Sequence, residues 1–316
     1  IFTVAVDLTV TGLKKINEIT TKIYDYIKML KEIGPQKWYF DENSQIADIL
    51  LKFQSKTSVS SMASSLSNNM QKYQPEDVVI GDYLWSEYDA EGIESIFDQL
   101  IPTNMVMLCI SKTYRGANLI EPIYNTNYQL VQFHPDHLIE WTKNGDLREN
   151  QFEFPLKNEW IPNNFHSLNN LNPSIQAETI ISKPTTYPKL LTNTKDSSDD
   201  LNKRIGEQVE LWYKLDDTFG EPKGTILFEM HTERDEGITI RDQILMEVLA
   251  QILSVSLREP LYSASKAGLE YQVSTNSRFL FQMQISGYNQ YLPRFFTAVV
   301  NRSLDVITNP NSEKKY

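Results

Sequence analysis

One structural phrase occurs near both ends of this chain and narrows the folds open to it. Near the start, Phe2-Thr-Val-Ala-Val-Asp-Leu8 is followed by Thr-Val-Thr-Gly12 and a long amphipathic run from Leu13 to Leu30. Near the end, Phe279-Leu-Phe-Gln-Met-Gln-Ile285 is followed by Ser-Gly-Tyr-Asn289 and an amphipathic run from Leu292 to Val306. Each reads as an alternating strand, a short glycine-bearing turn and a helix, which predicts two copies of one sheet-and-helix layer. A chain that opens and closes on the same phrase is expected to be part of a longer repeated protein.

The 316 residues predict about two domains, and an apolar fraction of 41% can supply a core for each. The 30 basic and 41 acidic residues leave a net charge of −11, which argues against a nucleic-acid partner because phosphate binding needs a basic face. Apolar runs stay below the roughly 20 residues that span a bilayer, so no membrane partner is expected. The single cysteine, Cys109, lies in Met105-Val-Met-Leu-Cys-Ile110 and reads as a buried strand thiol. One cysteine fits a reducing compartment, and a cytoplasmic location is the expectation; a targeting signal upstream of Ile1 would change it.

Helical spacing joins Leu13, Ile16, Ile19, Ile23, Ile27 and Leu30 into one stripe. Gly34-Pro35 closes that helix and opens the next, which should bury Trp38, Ile46, Ile49, Leu50 and Phe53. A third helix would bury Val59, Met62, Leu66 and Met70. Asp89 caps a fourth carrying Ile93, Ile96, Phe97 and Leu100, and Met105–Ile110 then reads as a buried strand. Periodicity fades from Asn163 to Gly206, and a structureless stretch of about 40 residues favours a domain boundary. Beyond it come strands at Val209–Leu215 and Gly224–Met230, an apolar helix over Arg241–Ala264 ended by Gly268, and a hairpin from Tyr271. This order predicts an α+β class, with a helical layer on one side of a sheet.

The histidines are His134, His137, His166 and His231. A catalytic zinc needs about three protein ligands and an open position. His134-Pro-Asp-His137 reads instead as a helix start, with nothing nearby completing a zinc spacing. Neither H-x-x-E-H nor H-E-x-x-H occurs, nor a G-x-S-x-G elbow, a Walker A loop or a Gly-rich dinucleotide turn. Asp216-Asp217 reads as a surface turn, and Leu211-Trp-Tyr213 as core. The expectation is that this chain supplies no catalytic, cofactor-binding or metal-binding residue.

Several blocks, taken in order, resemble the insulinase, or pitrilysin-type, zinc metallopeptidases, particularly the insulin-degrading branch. They are Val6-Asp-Leu-Thr9 with Gly12-Leu13, Tyr26-Ile27, Gly34-Pro-Gln36 with Trp38, Glu121-Pro-Ile-Tyr-Asn-Thr126 with Tyr128, and Lys157-Asn-Glu-Trp-Ile-Pro-Asn-Asn-Phe165. Leu211-Trp-Tyr-Lys-Leu-Asp-Asp-Thr-Phe219 with Pro222-Lys223, and Ala267-Gly-Leu-Glu-Tyr271 with Gly287-Tyr-Asn289, complete the set. The resemblance implies four homologous α+β domains, each a mostly antiparallel sheet with helices on one face, around a closed peptide chamber, an architecture shared with mitochondrial processing peptidase. Residues 1–165 would be most of the second domain, 166–205 a linker and 206–316 the first part of the third, both domains incomplete.

The resemblance further implies that the zinc, its H-x-x-E-H ligands and the general base belong to the family's first domain, and that the exosite strand lies upstream. The family's fourth domain grips substrate with an Arg and a Tyr, but Tyr262 and Leu269 stand at the matching positions here. Ile123 and Asn125 replace the more usual residues of a Trp-Tyr-Gly-Thr segment. The implied function is the non-catalytic central portion of a zinc metalloendopeptidase that degrades peptides in a closed chamber. Its partners would be peptide substrates and the remaining N- and C-terminal domains, with a homodimer also compatible. The competing readings are a catalytically dead homologue used for binding or assembly, and a free-standing peptide-binding module.

Overall fold

A computed structural model describes residues 2–54, 57–143, 152–165, 189–190, 212–214, 220–230, 239–275 and 281–309. The chain divides into two compact units: Ile1–Asn43 with Trp85–Lys157, and Ser44–Leu84 with Asn158–Tyr316. The segment Ser44–Leu84 thus groups with the C-terminal elements rather than with its sequence neighbours. Strand pairing among the described residues is antiparallel, so the chain is α+β. Among the described residues, no helix is long and apolar enough to cross a membrane.

The first unit is a helical layer. Thr9 caps the short α1 (Val10–Leu13), accepting the Gly12 amide at 3.0 Å. The predicted glycine turn is therefore a helical turn, and α2 follows at Ile16–Ile33. Gly34 ends α2 with φ 72° and donates to the Leu30 carbonyl. Along α2, Ile27, Met29, Thr20 and Asp25 are buried. Tyr24 stacks on Trp141 of α6 (Pro135–Thr142) at 6.3 Å between ring centroids. Asn17 donates to the Glu140 carboxylate at 2.7 Å. The first half of α3 (Lys37–Lys52) places Trp38 against Phe154 and Phe40 against Trp85 and Tyr88. Asp89 caps α5 (Ala90–Gln99) through the Gly92 amide, as its sequence predicts. A two-residue ladder, β1 (Leu119–Ile120) with β2 (Asn127–Tyr128), completes the unit.

Two predicted strands of this unit are not hydrogen-bonded strands. Residues 2–8 join no ladder and leave Phe2, Val4, Val6 and Leu8 exposed. Residues 105–110 likewise join none, with Val106, Leu108 and Ile110 more than four-fifths exposed and Cys109 on the surface. Apolar alternation creates a strand only where a neighbour satisfies its backbone groups, and among the described residues none lies alongside either segment. Cys109 is therefore not the buried thiol that its sequence context suggested.

The second unit holds the main core. Its sheet has the order β5–β7–β6: β5 (Lys223–Met230), central β7 (Phe281–Tyr288) and β6 (Glu270–Ser274). Along β7, Phe281, Met283 and Ile285 are buried while Gln282, Gln284 and Ser286 are not. The buried face packs against α7 (Ile240–Ser256), the short α8 (Tyr262–Lys266) and α9 (Leu292–Thr308). Leu253, Leu257, Phe295 and Val299 are fully enclosed there. Thr239 and Asp242 form a reciprocal capping box at the start of α7. The predicted single helix over 241–264 is interrupted after Ser256 and resumes at Tyr262.

Residues 158–165, the greater part of the block Lys157–Phe165, act as a strap on this core. Asn158 donates to the Ser263 carbonyl at 2.8 Å, and Arg294 lies 4.4 Å over the Trp160 ring while pairing with Glu159 at 2.8 Å. The side-chain Oε1 of Gln290 accepts the backbone amides of Asn163 and Asn164. Phe165 and Phe53, at the end of α3, close over Tyr288, and Lys223 donates to the Phe53 carbonyl at 2.7 Å. The helix α4 (Val59–Asn69) departs from expectation: Val59, Met62 and Met70 are exposed, and Asn69 is the buried residue. Asn69 donates to Val78 O and to Asp82, which also accepts from Tyr73. These hydrogen bonds, that of Asn69 first, hold the Asp82 carboxyl below its usual range. Leu50 and Ile96, predicted core residues, are exposed as well. Lys189–Leu190 (β3), inside the predicted linker, pairs with Trp212–Tyr213 (β4). Trp212 is 56% exposed, so it is not the core residue expected of it.

Two glycines set the corner between α8 and the sheet. Gly268 has φ 85° and ends α8, where the Leu269 amide reaches back to the Ala264 carbonyl at 3.1 Å. Gly287, expected in a turn, lies inside β7 with φ 145°. A Cβ there would sit 2.7 Å from a Leu269 methyl and 2.8 Å from the Gly268 carbonyl oxygen. Gly287→Ala should therefore destabilise the second unit by about 2 kcal/mol or more, through strain and overlap together. Phe295→Ala should cost about 3–5 kcal/mol by opening a cavity in the core. Gln284→Ala, on the solvent face of the same strand, should change stability by less than about 0.5 kcal/mol. Urea unfolding of the three variants checks this ordering.

Candidate functional surface

The period-2 geometry that commits one face of β7 to the core turns a polar face outward. Register places Thr225, Ser286 and Glu270 side by side, then Leu227, Gln284 and Gln272, then Glu229, Gln282 and Ser274. The last row is hydrogen-bonded across all three strands: Gln282 Nε2 donates to Glu229 at 2.9 Å, and Ser274 Oγ donates to Gln282 Oε1 at 3.1 Å. Ser265, Glu270, Tyr271, Gln272, Gln284 and Ser286 line a depression of about 390 Å³. Burial, opposed by Arg258, pushes the Tyr271 hydroxyl above its usual range. It stays protonated at neutral pH and donates to the Ser254 carbonyl at 3.3 Å.

This surface offers amides, hydroxyls and one carboxylate at the depression. Such groups can exchange hydrogen bonds with a polypeptide backbone. They include no nucleophile paired with a base, which covalent acyl transfer would require. Its members were not singled out from the sequence, although the alternation in Phe279–Ile285 already placed Gln282 and Gln284 on the face away from the apolar residues.

The residues weighed from the sequence lie elsewhere. His134 caps α6, its Nδ1 accepting the Asp136 amide at 3.3 Å, and its ring centroid stands 6.0 Å from that of His137. His137 tilts onto Trp141. Among the described residues, no three His, Cys, Asp or Glu side chains converge as a metal site would require, so the described residues do not fit zinc. His166, His231 and Asp216-Asp217 lie outside the described residues. Tyr262 is 57% exposed with the Lys266 ammonium 5.8 Å from its ring centre, whereas Leu269 is enclosed in the core. The two therefore do not face a common site. Ile123 stands exposed at the tip of the β1–β2 turn, where the Glu121 carboxylate accepts the amides of Ile123 and Tyr124, and Asn125 takes a left-handed conformation with φ 53°.

Comparison with known proteins places this architecture. Residues 51–314 match the model of the middle, or third, domain of M16 peptidases. The chain is 30% identical over 302 residues to insulin-degrading enzyme of Bos taurus, covering 95% of this chain and 27% of that protein. It is 26% identical over 311 residues to nardilysin of Pongo abelii, covering 98% of this chain and 25% of that protein. A crystal structure of pitrilysin superposes with a TM-score of 0.61 at 21% identity, over 94% of this chain and 29% of that one, and so shares its fold. The chain spans about a quarter of the length of these curated relatives. It belongs to the insulinase, or pitrilysin-type, M16 metallopeptidase family, within the family's middle segment.

Proposed function

We propose that this chain is the non-catalytic central portion of an insulinase-family zinc metalloendopeptidase, supplying wall and connection to a closed chamber in which peptides are cut. The observation that carries the reading is the middle-domain match over residues 51–314, joined to the similarity with peptidases over nearly the whole chain. In this reading residues 1–165 belong to the second family domain, 206–316 to the third, and 166–205 to the crossing between them, so that the middle-domain match over 51–314 runs across that crossing instead of marking a domain boundary. Zinc and the hydrolytic groups are assigned to parts of the parent outside this chain. The polar face of the β5–β7–β6 sheet is the wall that meets enclosed peptide: its hydrogen-bonding groups suit many sequences, as a degradative enzyme needs.

The test compares the complete polypeptide of this gene with the 316-residue chain on an internally quenched flexible peptide. The complete polypeptide should cleave it, lose activity on zinc chelation and regain it when zinc is restored. The 316-residue chain should give no metal-dependent cleavage. Cleavage by the chain alone would overturn the non-catalytic assignment. An inert complete polypeptide would favour a binding or assembly subunit instead.

A further inference from the structure

The outer edge of β6 is an unblocked strand edge. Glu270–Ser274 pairs with β7 without a bulge, residue for residue from Glu270 opposite Ser286 to Ser274 opposite Gln282. Among the described residues, the backbone of 270–274 has no hydrogen-bond partner other than β7, and no strand lies on its far side. Sheets ordinarily blunt such edges with lysine, proline, a bulge or a covering element. The opposite edge, β5, has Pro222 directly before it and Lys223 at its start. Glu270-Tyr-Gln-Val-Ser274 carries none of these devices, so its outward N–H and C=O groups can take another strand. The depression of about 390 Å³ runs from Gln284 and Ser286 on the central strand to Tyr271 and Gln272 on this edge.

A strand added there sets its side chains directly opposite those of β6, with Cβ atoms about 4.5–5.5 Å apart. On the outward face its residues meet Glu270, Gln272 and Ser274, and its alternate residues meet the half-buried Tyr271 and Val273. Glu270 is the one charged side chain among the described residues lining the depression. Lys223, a cation on the outward side of β5, is engaged by the Phe53 carbonyl at 2.7 Å and by Glu221 at 3.5 Å. Opposite charges facing each other across a strand pair attract, and like charges repel. The edge therefore suits a segment with Lys or Arg opposite Glu270, a polar residue opposite Gln272 and apolar residues opposite Tyr271 and Val273. Within this chain, the acidic stretch Asp196–Asp200 has the wrong charge for Glu270. Lys314 and Lys315 have a fitting one, and substituting both distinguishes that occupant.

We propose that the outer edge of β6 receives an extended peptide as a fourth strand of this sheet, with a lysine or arginine of that peptide paired to Glu270. The proposal deepens, and rests on, the reading of the polar sheet face as the wall that meets enclosed peptide. Main-chain hydrogen bonds hold peptides of many sequences, while Glu270 favours the basic ones.

The complete polypeptide, stripped of metal, is titrated against a fluorescein-labelled peptide of alternating threonine and valine that carries one lysine, and against its twin with glutamine for the lysine. The lysine peptide should bind about threefold tighter. Glu270→Gln should erase the difference, while Glu94→Gln on α5 keeps it. Methylating the peptide amides that point to one side should weaken binding about tenfold, and methylating those that point to the other should not. Equal affinity for the two peptides, a preference that survives Glu270→Gln, or equal tolerance of both methylation patterns overturns the proposal. So does lysine-peptide affinity that rises severalfold with Lys314→Gln and Lys315→Gln, which identifies this chain's own segment, or that falls as protein concentration rises, which identifies a second copy. Zinc-dependent cleavage by the unmutated polypeptide is read separately. The preference without cleavage would sink the peptidase reading and leave the strand site standing, and cleavage without the preference would do the reverse.

Discussion

The packing of one face of β7 against α7 and α9 is the contact on which the second unit depends. Phe281, Met283 and Ile285 alternate along the strand, and α9 answers with Leu292, Phe295, Val299 and Val306 at helical spacing. Each fully enclosed aliphatic or aromatic side chain contributes about 1.5–3 kcal/mol by leaving water. Because β7 is the middle strand, fixing it fixes β5 and β6 through their ladders. The strap 158–165 then closes over α9 and the turn before it, with Trp160 against Phe295 and the Asn163 and Asn164 amides on Gln290. A face held this firmly on one side leaves its opposite side free to be polar, and that is where the candidate surface lies.

Sequence patterns read best where the partner of each element lies among the described residues. The strand–glycine–helix phrase near the C-terminus, the caps at Asp89 and Gly34, and the helix start at His134-Pro135 all occur as the residues suggested. Gly287 departs only in position, because its positive φ serves a close approach to Leu269 inside the strand instead of a turn. The N-terminal copy of the phrase was legible as a helix but not as a strand, since alternation records a tendency that pairing must complete. The same condition explains Met105–Ile110, where Cys109 reaches the surface.

Burial along α4 was misread for a different reason. Val59, Met62 and Met70 have helical spacing, yet the helix is anchored through the amide of Asn69, whose hydrogen bonds to Val78 and Asp82 no apolar pattern encodes. The candidate surface was hidden in the same way. Gln272, Gln284, Ser286 and Glu270 belong to no motif, and only the register of three strands brings them together. Two of the family blocks, by contrast, carry a local structural duty: 158–165 straps the core, and 267–271 turns α8 into β6.

The β5–β7–β6 sheet commits one face to its core, and the proposed function has the other face meet polypeptide. Carboxyl footprinting of the complete polypeptide, stripped of metal and saturated with a flexible peptide, tests this most directly. Glu270, on the outward row beside Gln284 and Ser286, should be modified several-fold more slowly when peptide is present, while exposed Glu94 on α5 is unaffected. Unchanged modification of Glu270 under saturating peptide would contradict the assignment of that face.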